Sequence, residues 1–278
     1  DEDGHQYLGD AQEKGASAVL VESGTTHPTD DLTVPVFETD DTREILPDLL
    51  RAFYGDPSSE LTLIGVTGTN GKTTTTHLIE SILKSSDEST GLIGTIERRF
   101  AGETEKGDCT TPSIVETYQR LRDWSDRGAS AVVMEVSSHA LDQGRVRGLT
   151  FSTAAFTNLS QDHLDYHEDM EGYYRAKKRL FEQSERNVVY TDGEYGERLN
   201  REIEGASVGE SGDYSVLEPS VDLDGISLEL RTPDGATLEL NSPLTGLFNY
   251  KNIALAAAVA LESGVDEEAV TSGLGSSG

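Results

Sequence analysis

The run Thr67-Gly68-Thr69-Asn70-Gly71-Lys72-Thr73 lies between an apolar stretch, Leu61 to Val66, and a helical pattern, Thr73 to Lys84. A strand that delivers a Gly-rich turn into a helix start gathers free backbone N–H groups and the positive end of the helix dipole at one point, which attracts phosphate. Gly68 and Gly71 let the backbone close around the anion, Lys72 reaches the β/γ-phosphates, and the Thr73 hydroxyl serves as a Mg2+ ligand. The strict phosphate-loop pattern needs a glycine five positions before Gly71, where this chain has Val66 and where Gly65 sits one residue too early, so the match is a variant. The plainer reading is a tight connection capped by threonine. The apolar strand, the two glycines and the isolation of Lys72 between Lys14 and Lys84 favour nucleotide binding.

Two further stretches carry chemistry. Ala131-Val132-Val133-Met134-Glu135 reads as a buried strand ending in a carboxylate, and open α/β sheets place their functional crevice beyond the carboxyl ends of strands. Glu135 therefore stands where the Mg2+ of a bound ATP needs an oxygen ligand. The strand from Thr153 to Thr157 runs into Asn158-Leu159-Ser160-Gln161-Asp162-His163-Leu164-Asp165-Tyr166-His167, whose two histidines and two aspartates form a candidate metal site. A single cysteine, Cys109, excludes a cysteine cage and any intrachain disulfide, and fits a reducing cytoplasm. Lys177 and Lys178 then stand together in a lysine-poor chain; a lysine ligates Mg2+ only after conversion to an anion such as a carbamate.

These residues need a frame to hold them. Strands at Leu61 to Val66, Ala131 to Val136, Thr153 to Thr157 and Asn187 to Tyr190 alternate with helical patterns at Val115 to Arg127 and Gly172 to Gln183, which predicts a largely parallel α/β sheet. Ile226, Leu228, Leu230 and Leu238, Leu240 alternate with polar residues around Pro233-Asp234-Gly235, which predicts an antiparallel hairpin insertion. An Ala-rich helix follows from Asn249 to Ser263, and the Ser/Gly tail reads as low in complexity. Before the break Gly55-Asp56-Pro57-Ser58-Ser59 lie a helical stretch near residues 6–16, strands at Ala18 to Val21 and Val34 to Phe37, and a helix from Asp40 to Tyr54 capped by Asp40 or Asp41. The reading is two domains, residues 1–58 and 59–278.

The 278 residues carry 51 Asp and Glu against 22 Lys and Arg, a net charge of −29. That balance repels phosphate backbones and anionic lipid and argues against nucleic acid or a membrane surface as the partner; no apolar run is long enough to span a bilayer. Only 7 of the 22 cations are lysine and the carboxylates are spread along the chain, which suggests a surface adapted to high salt. The thermal midpoint and activity are accordingly expected to rise from low salt to molar KCl; a melt and an activity assay that do not change across that range would refute this. The opening DEDGHQ, without an initiator Met, and the close at GLGSSG suggest a piece of a longer protein.

Taken together, Gly68-Thr69-Asn70-Gly71-Lys72-Thr73-Thr74, Cys109-Thr110-Thr111-Pro112, Met134-Glu135-Val136-Ser137-Ser138-His139, the run Thr157 to His167 and Phe248-Asn249-Tyr250-Lys251-Asn252 resemble the Mur ligases, in motif order and over nearly the whole chain. These are ATP-dependent amide-forming enzymes of peptidoglycan precursor synthesis. Thr110-Thr111-Pro112 with Glu135 to His139 and Gln143-Gly144-Arg145 resembles the UDP-N-acetylmuramyl-tripeptide synthetase branch, which adds the third stem-peptide residue through an acyl phosphate.

The resemblance implies a role for each matching position. Gly68, Thr69, Asn70, Gly71, Lys72, Thr73 and Thr74 would hold ATP, with Asn249 and Asn252 near the nucleotide. Thr73 and Glu135 would ligate the first Mg2+, His163 would bind at the second, and Lys177 aligns with a carbamylated lysine that bridges to it; Lys72, Glu135, His163 and Lys177 form the catalytic set. Thr110, Thr111, Ser137, Gln143 and Arg145 would contact the UDP-MurNAc-dipeptide, and Cys109 matches a contact position usually held by another polar residue. The resemblance further implies a cytoplasmic, monomeric enzyme with ATP, the nucleotide sugar and an amino acid as small-molecule partners. The family has three domains; this chain matches the end of the first, a partial UDP-sugar domain, and nearly all of the central ATP-binding one. Folylpolyglutamate synthase uses the same ATP chemistry, but Thr110 to Pro112 and Ser137 to His139 argue against it. A non-catalytic nucleotide-binding subunit is disfavoured by the joint presence of Glu135, His163 and Lys177.

Overall fold

The computed structural model describes residues 3–24, 26–27 and 29–277. Two compact units divide the chain between Phe53 and Tyr54. In the first, α1 (Leu8–Glu13) precedes two short strands, β1 (Val19–Glu22) and β2 (Val36–Thr39), and α2 (Thr42–Tyr54) closes the unit. β1 and β2 pair in parallel, with Val19 opposite Val36. The second strand starts two residues later than its apolar run because Pro35 has no N–H for the ladder and contributes only its carbonyl, to Val19. Of the two caps expected for α2, Asp41 serves: its carboxylate accepts from the N–H groups of Arg43 at 2.7 Å and Glu44 at 3.2 Å.

The second unit opens on the strand, turn and helix of the phosphate-loop motif, β3 (Thr62–Thr67) and α3 (Lys72–Ser85). There follow β4 (Thr90–Ile93), β5 (Glu97–Phe100), β6 (Glu103–Lys106), α4 (Ile114–Asp126), β7 (Ala131–Glu135), α5 (Ser138–Asp142) and β8 (Phe151–Phe156). Then come α6 (Leu164–His167), α7 (Met170–Lys178), β9 (Ser184–Tyr190), α8 (Glu194–Glu202) and β10 (Ala206–Gly209). β11 (Tyr214–Val221), β12 (Ile226–Arg231), β13 (Thr237–Ser242), α9 (Asn249–Glu262) and α10 (Glu267–Gly275) complete the unit.

One sheet in the order β13-β12-β11-β10-β9-β8-β3-β7-β4-β5-β6 unites these strands. Its centre, from β11 to β4, is parallel, and both margins are antiparallel. The α/β reading holds. The expected antiparallel hairpin is β12 and β13, and β11 pairs with β12 and carries it onto the sheet margin. The first residues of the Ser/Gly tail end α10, whose Gly273 lies so close to the backbone of Ile82 on α3 that a Cβ would overlap it. The sequence reading missed β4, β5 and β6. β4, Thr-Gly-Leu-Ile, offers only two consecutive large apolar residues, too few to declare a strand; β6 is polar at every position, which suits a sheet edge.

β3 is central because it pairs with β7 on one side and β8 on the other. The chain leaves β3 for β4, returns to β7 between them, and then crosses to β8, so the strand order reverses beside the carboxyl end of β3. A parallel sheet opens its crevice at such a point. Leu63, Ile64 and Val66 are fully buried, as are Ala131 to Met134, at about 1.5–3 kcal/mol of hydrophobic stabilisation for each large side chain. Ile64, Val66, Ala131 and Val133 share one core with Leu78, Ile79, Ile82 and Leu83 of α3 and the Ala-rich face of α9. Rigid packing below the crevice fixes the loops above it.

Candidate active site

The phosphate loop leaves β3 at Gly68, whose φ of +148° suits glycine, and a Cβ there would overlap Thr157 Oγ1. Gly71, with φ of +86°, caps α3 and leaves no room for a Cβ beside Asn252 Oδ1. The loop is docked on the segment after β8. Thr69 N–H donates to Asn158 O at 2.9 Å and Asn70 N–H to Asn158 Oδ1 at 3.1 Å. Thr157 Oγ1 at 2.6 Å and Asn158 Nδ2 at 3.0 Å both donate to Asn70 O. Thr69 Oγ1 meets Ser160 and lies 3.2 Å from the Tyr173 hydroxyl. Gly68→Ala is therefore expected to lower both the thermal midpoint and nucleotide affinity, whereas Thr74→Ala, at the edge of the loop, leaves the midpoint near its parent value. A melt and a fluorescent-nucleotide titration of both variants check this.

Two lysines converge on the loop. Lys72 Nζ donates to Gly68 O and to Thr69 O, both at 2.9 Å. Lys177 Nζ, on α7, donates to the same Gly68 oxygen at 2.8 Å and stands 4.6 Å from the centroid of the Tyr173 ring. Lys177 is 2% exposed. Burial, reinforced by the neighbouring Lys72 charge, pushes its amine well below the ordinary lysine range. Burial also lowers Lys72, against the pull of Glu135 and Asp162. Both lysines thus sit where a strong anion belongs.

Glu135, at the end of β7, is 1% exposed, and its carboxylate is encircled by donors. Thr73 Oγ1 reaches Oε1 at 3.0 Å, Thr95 N–H reaches Oε1 at 2.9 Å, and Thr95 Oγ1 reaches Oε2 at 3.0 Å. Thr73 and Glu135, both expected on the first Mg2+, are in contact. A buried carboxylate beside a hydroxyl at a phosphate loop is a donor set that suits a hard divalent cation. Thr74 lines a cavity with His77, Glu80 and Arg99.

The run after β8 assembles differently from the expected cluster of two histidines and two aspartates. His163 adopts a left-handed backbone, φ of +52°, to start α6, and pairs with Asp162 at 3.5 Å. The single turn of α6 carries His167 inward, where its Nε2 lies 2.9 Å from Ser138 Oγ. The aspartates do not join the two imidazoles. Among the described residues, no group of three or more His, Cys, Asp and Glu side chains is placed to hold a metal. His163 instead neighbours His139 at 4.9 Å and Tyr173 at 6.0 Å between ring centroids. Burial lowers the His139 imidazole, with His163 and Arg145 adding to it.

A second group of residues, from the segments before α4 and after α5, gathers at the turn from β7 to α5. Thr111 is buried; its hydroxyl donates to Glu135 O at 2.8 Å and accepts from Ser137 N–H at 3.0 Å. Both roles of that hydroxyl are used within the protein and Thr111 is fully buried, so it braces the turn after β7. Ser137 Oγ caps α5 by accepting from Ala140 N–H. Arg145 donates to Thr111 O at 2.9 Å and grips Gln143 Oε1 with Nε and a terminal nitrogen at 3.0 and 2.7 Å. Thr110 Oγ1 lies 3.1 Å from Thr95 Oγ1. The Cys109 thiol faces Arg98 and Thr111 O, and burial raises its pKa.

Asn252 lies under the loop: its Nδ2 donates to Asn249 Oδ1 at 2.9 Å, and Thr75 Oγ1 approaches its Oδ1 at 3.4 Å. Asn252 lines a cleft of about 450 Å³ together with Asn70, Gly71, Tyr190, Asp192 and Lys251. Sequence reasoning passed over Thr95, Tyr173 and the docking contacts of Thr157 and Asn158. Thr95 had a signal, since it follows Gly94 at the end of a short apolar run, where a parallel strand hands its chain to the crevice.

The description Mur ligase middle domain matches residues 66–260. The UDP-N-acetylmuramoyl-L-alanyl-D-glutamate--2,6-diaminopimelate ligase of Aquifex aeolicus is 42% identical over 272 residues, covering 96% of this chain and 55% of that protein. The enzyme of the same name from Geobacter metallireducens is 40% identical over 285 residues, covering 98% and 55%. A solved structure of a UDP-N-acetylmuramoyl-L-alanyl-D-glutamate--2,6-diaminopimelate ligase superposes with a TM-score of 0.82 at 27% identity, covering 97% of this chain and 56% of that one. The chain thus spans about half the length of the curated relatives it matches. With the phosphate loop, the strand-end carboxylate and the buried lysine in the order that the motifs follow, the chain belongs to the Mur ligase family.

Proposed function

We propose that the full-length protein is an ATP-dependent ligase that joins an amino acid to the D-Glu carboxylate of UDP-MurNAc-L-Ala-D-Glu. A carboxylate oxygen attacks the γ-phosphorus of ATP and ADP leaves; the amine nitrogen then attacks the acyl phosphate carbon and phosphate leaves. The observation that carries this reading is the meeting of four groups at one strand end: Thr73 with Glu135, and Lys72 with Lys177 on the Gly68 carbonyl. Anion must approach anion in the first step, so positive charge has to be concentrated there.

Thr73 and Glu135 would hold the Mg2+ of ATP, with His163 and Lys177, as its carbamate, at a second ion. Mg2+, when bound, neutralises phosphate charge and orients the γ-phosphoryl group. Lys72 supplies a fixed cation to the β/γ-phosphates. The loop residues Gly68 to Thr74 cradle the phosphates, and Asn249 and Asn252 face the nucleotide side. Thr110, Ser137, Gln143 and Arg145 would receive the nucleotide sugar, Arg145 through its planar fork, and Thr111 would do so through the backbone it fixes. Residues 1–58 would be part of a UDP-sugar domain and residues 59–278 the ATP-binding domain. The relatives' names make diaminopimelate the first amine to test. The enzyme would work as a cytoplasmic monomer; among the described residues no helix is long and apolar enough to cross a membrane.

Calorimetry on the full-length protein tests the site assignment. UDP-MurNAc-L-Ala-D-Glu is expected to bind the parent and to bind Arg145→Ala about tenfold or more weakly, the loss of a charge-assisted pair. Equal affinity for both would remove Arg145 from the acceptor site.

A further inference from the structure

The Glu135 carboxylate is held chiefly by one residue outside the motifs, Thr95, in the loop between β4 and β5. Thr95 binds both carboxylate oxygens, through its N–H to Oε1 at 2.9 Å and through its hydroxyl to Oε2 at 3.0 Å. The chain before it wraps the same group, since a Cβ on Gly94 would lie 2.7 Å from Glu135 Oε1. The Thr95 hydroxyl also lies 3.1 Å from Thr110 Oγ1. A hydroxyl has one proton to give and lone pairs with which to accept. The single Thr95 proton is directed at either Glu135 Oε2 or Thr110 Oγ1, so the one hydroxyl serves both partners. A line of contacts results: Thr110 with Thr95, and Thr95 with Glu135, with Thr73 closing on the other carboxylate oxygen. Its two ends lie in the two halves of the site, Thr73 at the nucleotide and Thr110 at the acceptor.

We propose that Thr95 is a positioning residue that fixes the Glu135 carboxylate for the Mg2+ of ATP and, through Thr110, links that carboxylate to the acceptor loop. The inference rests on the reading of the site as a Mg2+–ATP site. With the hydroxyl removed, the carboxylate keeps the N–H contact and loses its hold on Oε2, so it turns more freely and meets the cation less often in the right orientation. The shape of the loop is preserved in Thr95→Val, and the hydroxyl is preserved in Thr95→Ser.

The test titrates Mg2+ into full-length parent, Thr95→Val and Thr95→Ser in the presence of a fluorescent ATP analogue, with a thermal melt of each. Thr95→Val is expected to raise the Mg2+ concentration for half-maximal nucleotide binding by about tenfold, the value of a hydrogen bond to a charged group, while metal-free nucleotide binding stays at the parent level. Thr95→Ser restores the parental midpoint. In a double-mutant cycle with Thr110→Val, the losses in nucleotide-sugar affinity are expected to be non-additive. A parental Mg2+ midpoint in Thr95→Val overturns the assignment, as does a Thr95→Ser protein that melts normally but keeps the shifted midpoint. A parent whose nucleotide binding ignores Mg2+ overturns the Mg2+–ATP reading itself and the assignment with it.

Discussion

Replacing Lys72 by alanine in the full-length protein is expected to lower kcat/KM for ATP by about 10²–10³, the loss seen when one preorganised donor is removed from a developing anion. Lys72 is committed to the loop in advance: its ammonium group rests on the carbonyl oxygens of Gly68 and Thr69. Its pKa is lowered by burial, so the protein bears a cost to keep that cation there. Phosphate oxygens repay the cost by supplying the missing counter-charge. The fold depends on Lys72 far less, because β3 and α3 are held by Leu63, Ile64, Leu78 and Ile79, so the thermal midpoint stays close to that of the parent. Nucleotide titration and a melt of the same sample measure both. Unchanged ATP affinity in Lys72→Ala would remove the phosphate loop from the account.

A loss of similar size, about 10²–10³ in kcat, is expected for Lys177→Met, which keeps the buried chain and removes the amine. The parent is also expected to lose activity when CO2 is stripped from the buffer and to regain it with bicarbonate. The reason is local. Two ammonium groups on one carbonyl repel each other, and burial has already driven Lys177 toward its neutral form. A neutral amine nitrogen attacks the carbon of CO2, releases one proton and becomes a carbamate, so the charge at Lys177 passes from zero to negative. The pair with Lys72 then attracts. Because the folded amine is shifted downward, it holds a larger neutral, CO2-reactive fraction than a free lysine does at the same pH. Intact mass gained equal to one CO2 in the parent and absent in Lys177→Met gives a second readout. Full activity after exhaustive CO2 removal, with no mass gained, would contradict the expectation.

The parts of this molecule that sequence revealed are those with a local cause. The run from β3 through Gly68 and Gly71 to Lys72 announces strand, turn and helix because apolar period, glycine and helix start are all written within a dozen positions. Glu135 was legible for the same reason, as the polar end of an otherwise apolar strand. The pairing of Lys177 with Gly68 was not legible from the residues, since it joins positions 109 apart through the order of the strands. Spacing misled in the stretch after β8: two histidines and two aspartates in one run suggest a cluster, yet a left-handed residue at His163 and one helical turn send His167 to Ser138. β4 to β6 escaped because short or wholly polar strands carry no period to read, and α10 escaped because Gly273 is small for packing against α3 rather than for flexibility.

The measurement that bears most directly on the central claim is phosphate release by the full-length protein in molar KCl with ATP, Mg2+ and UDP-MurNAc-L-Ala-D-Glu, one amino acid at a time, followed by the mass of the product. Release that requires both the nucleotide sugar and one amino acid, diaminopimelate first among them, with a product heavier by that residue less water, is the predicted result. ATP binding without release for any amine, or release that ignores the nucleotide sugar, would contradict it.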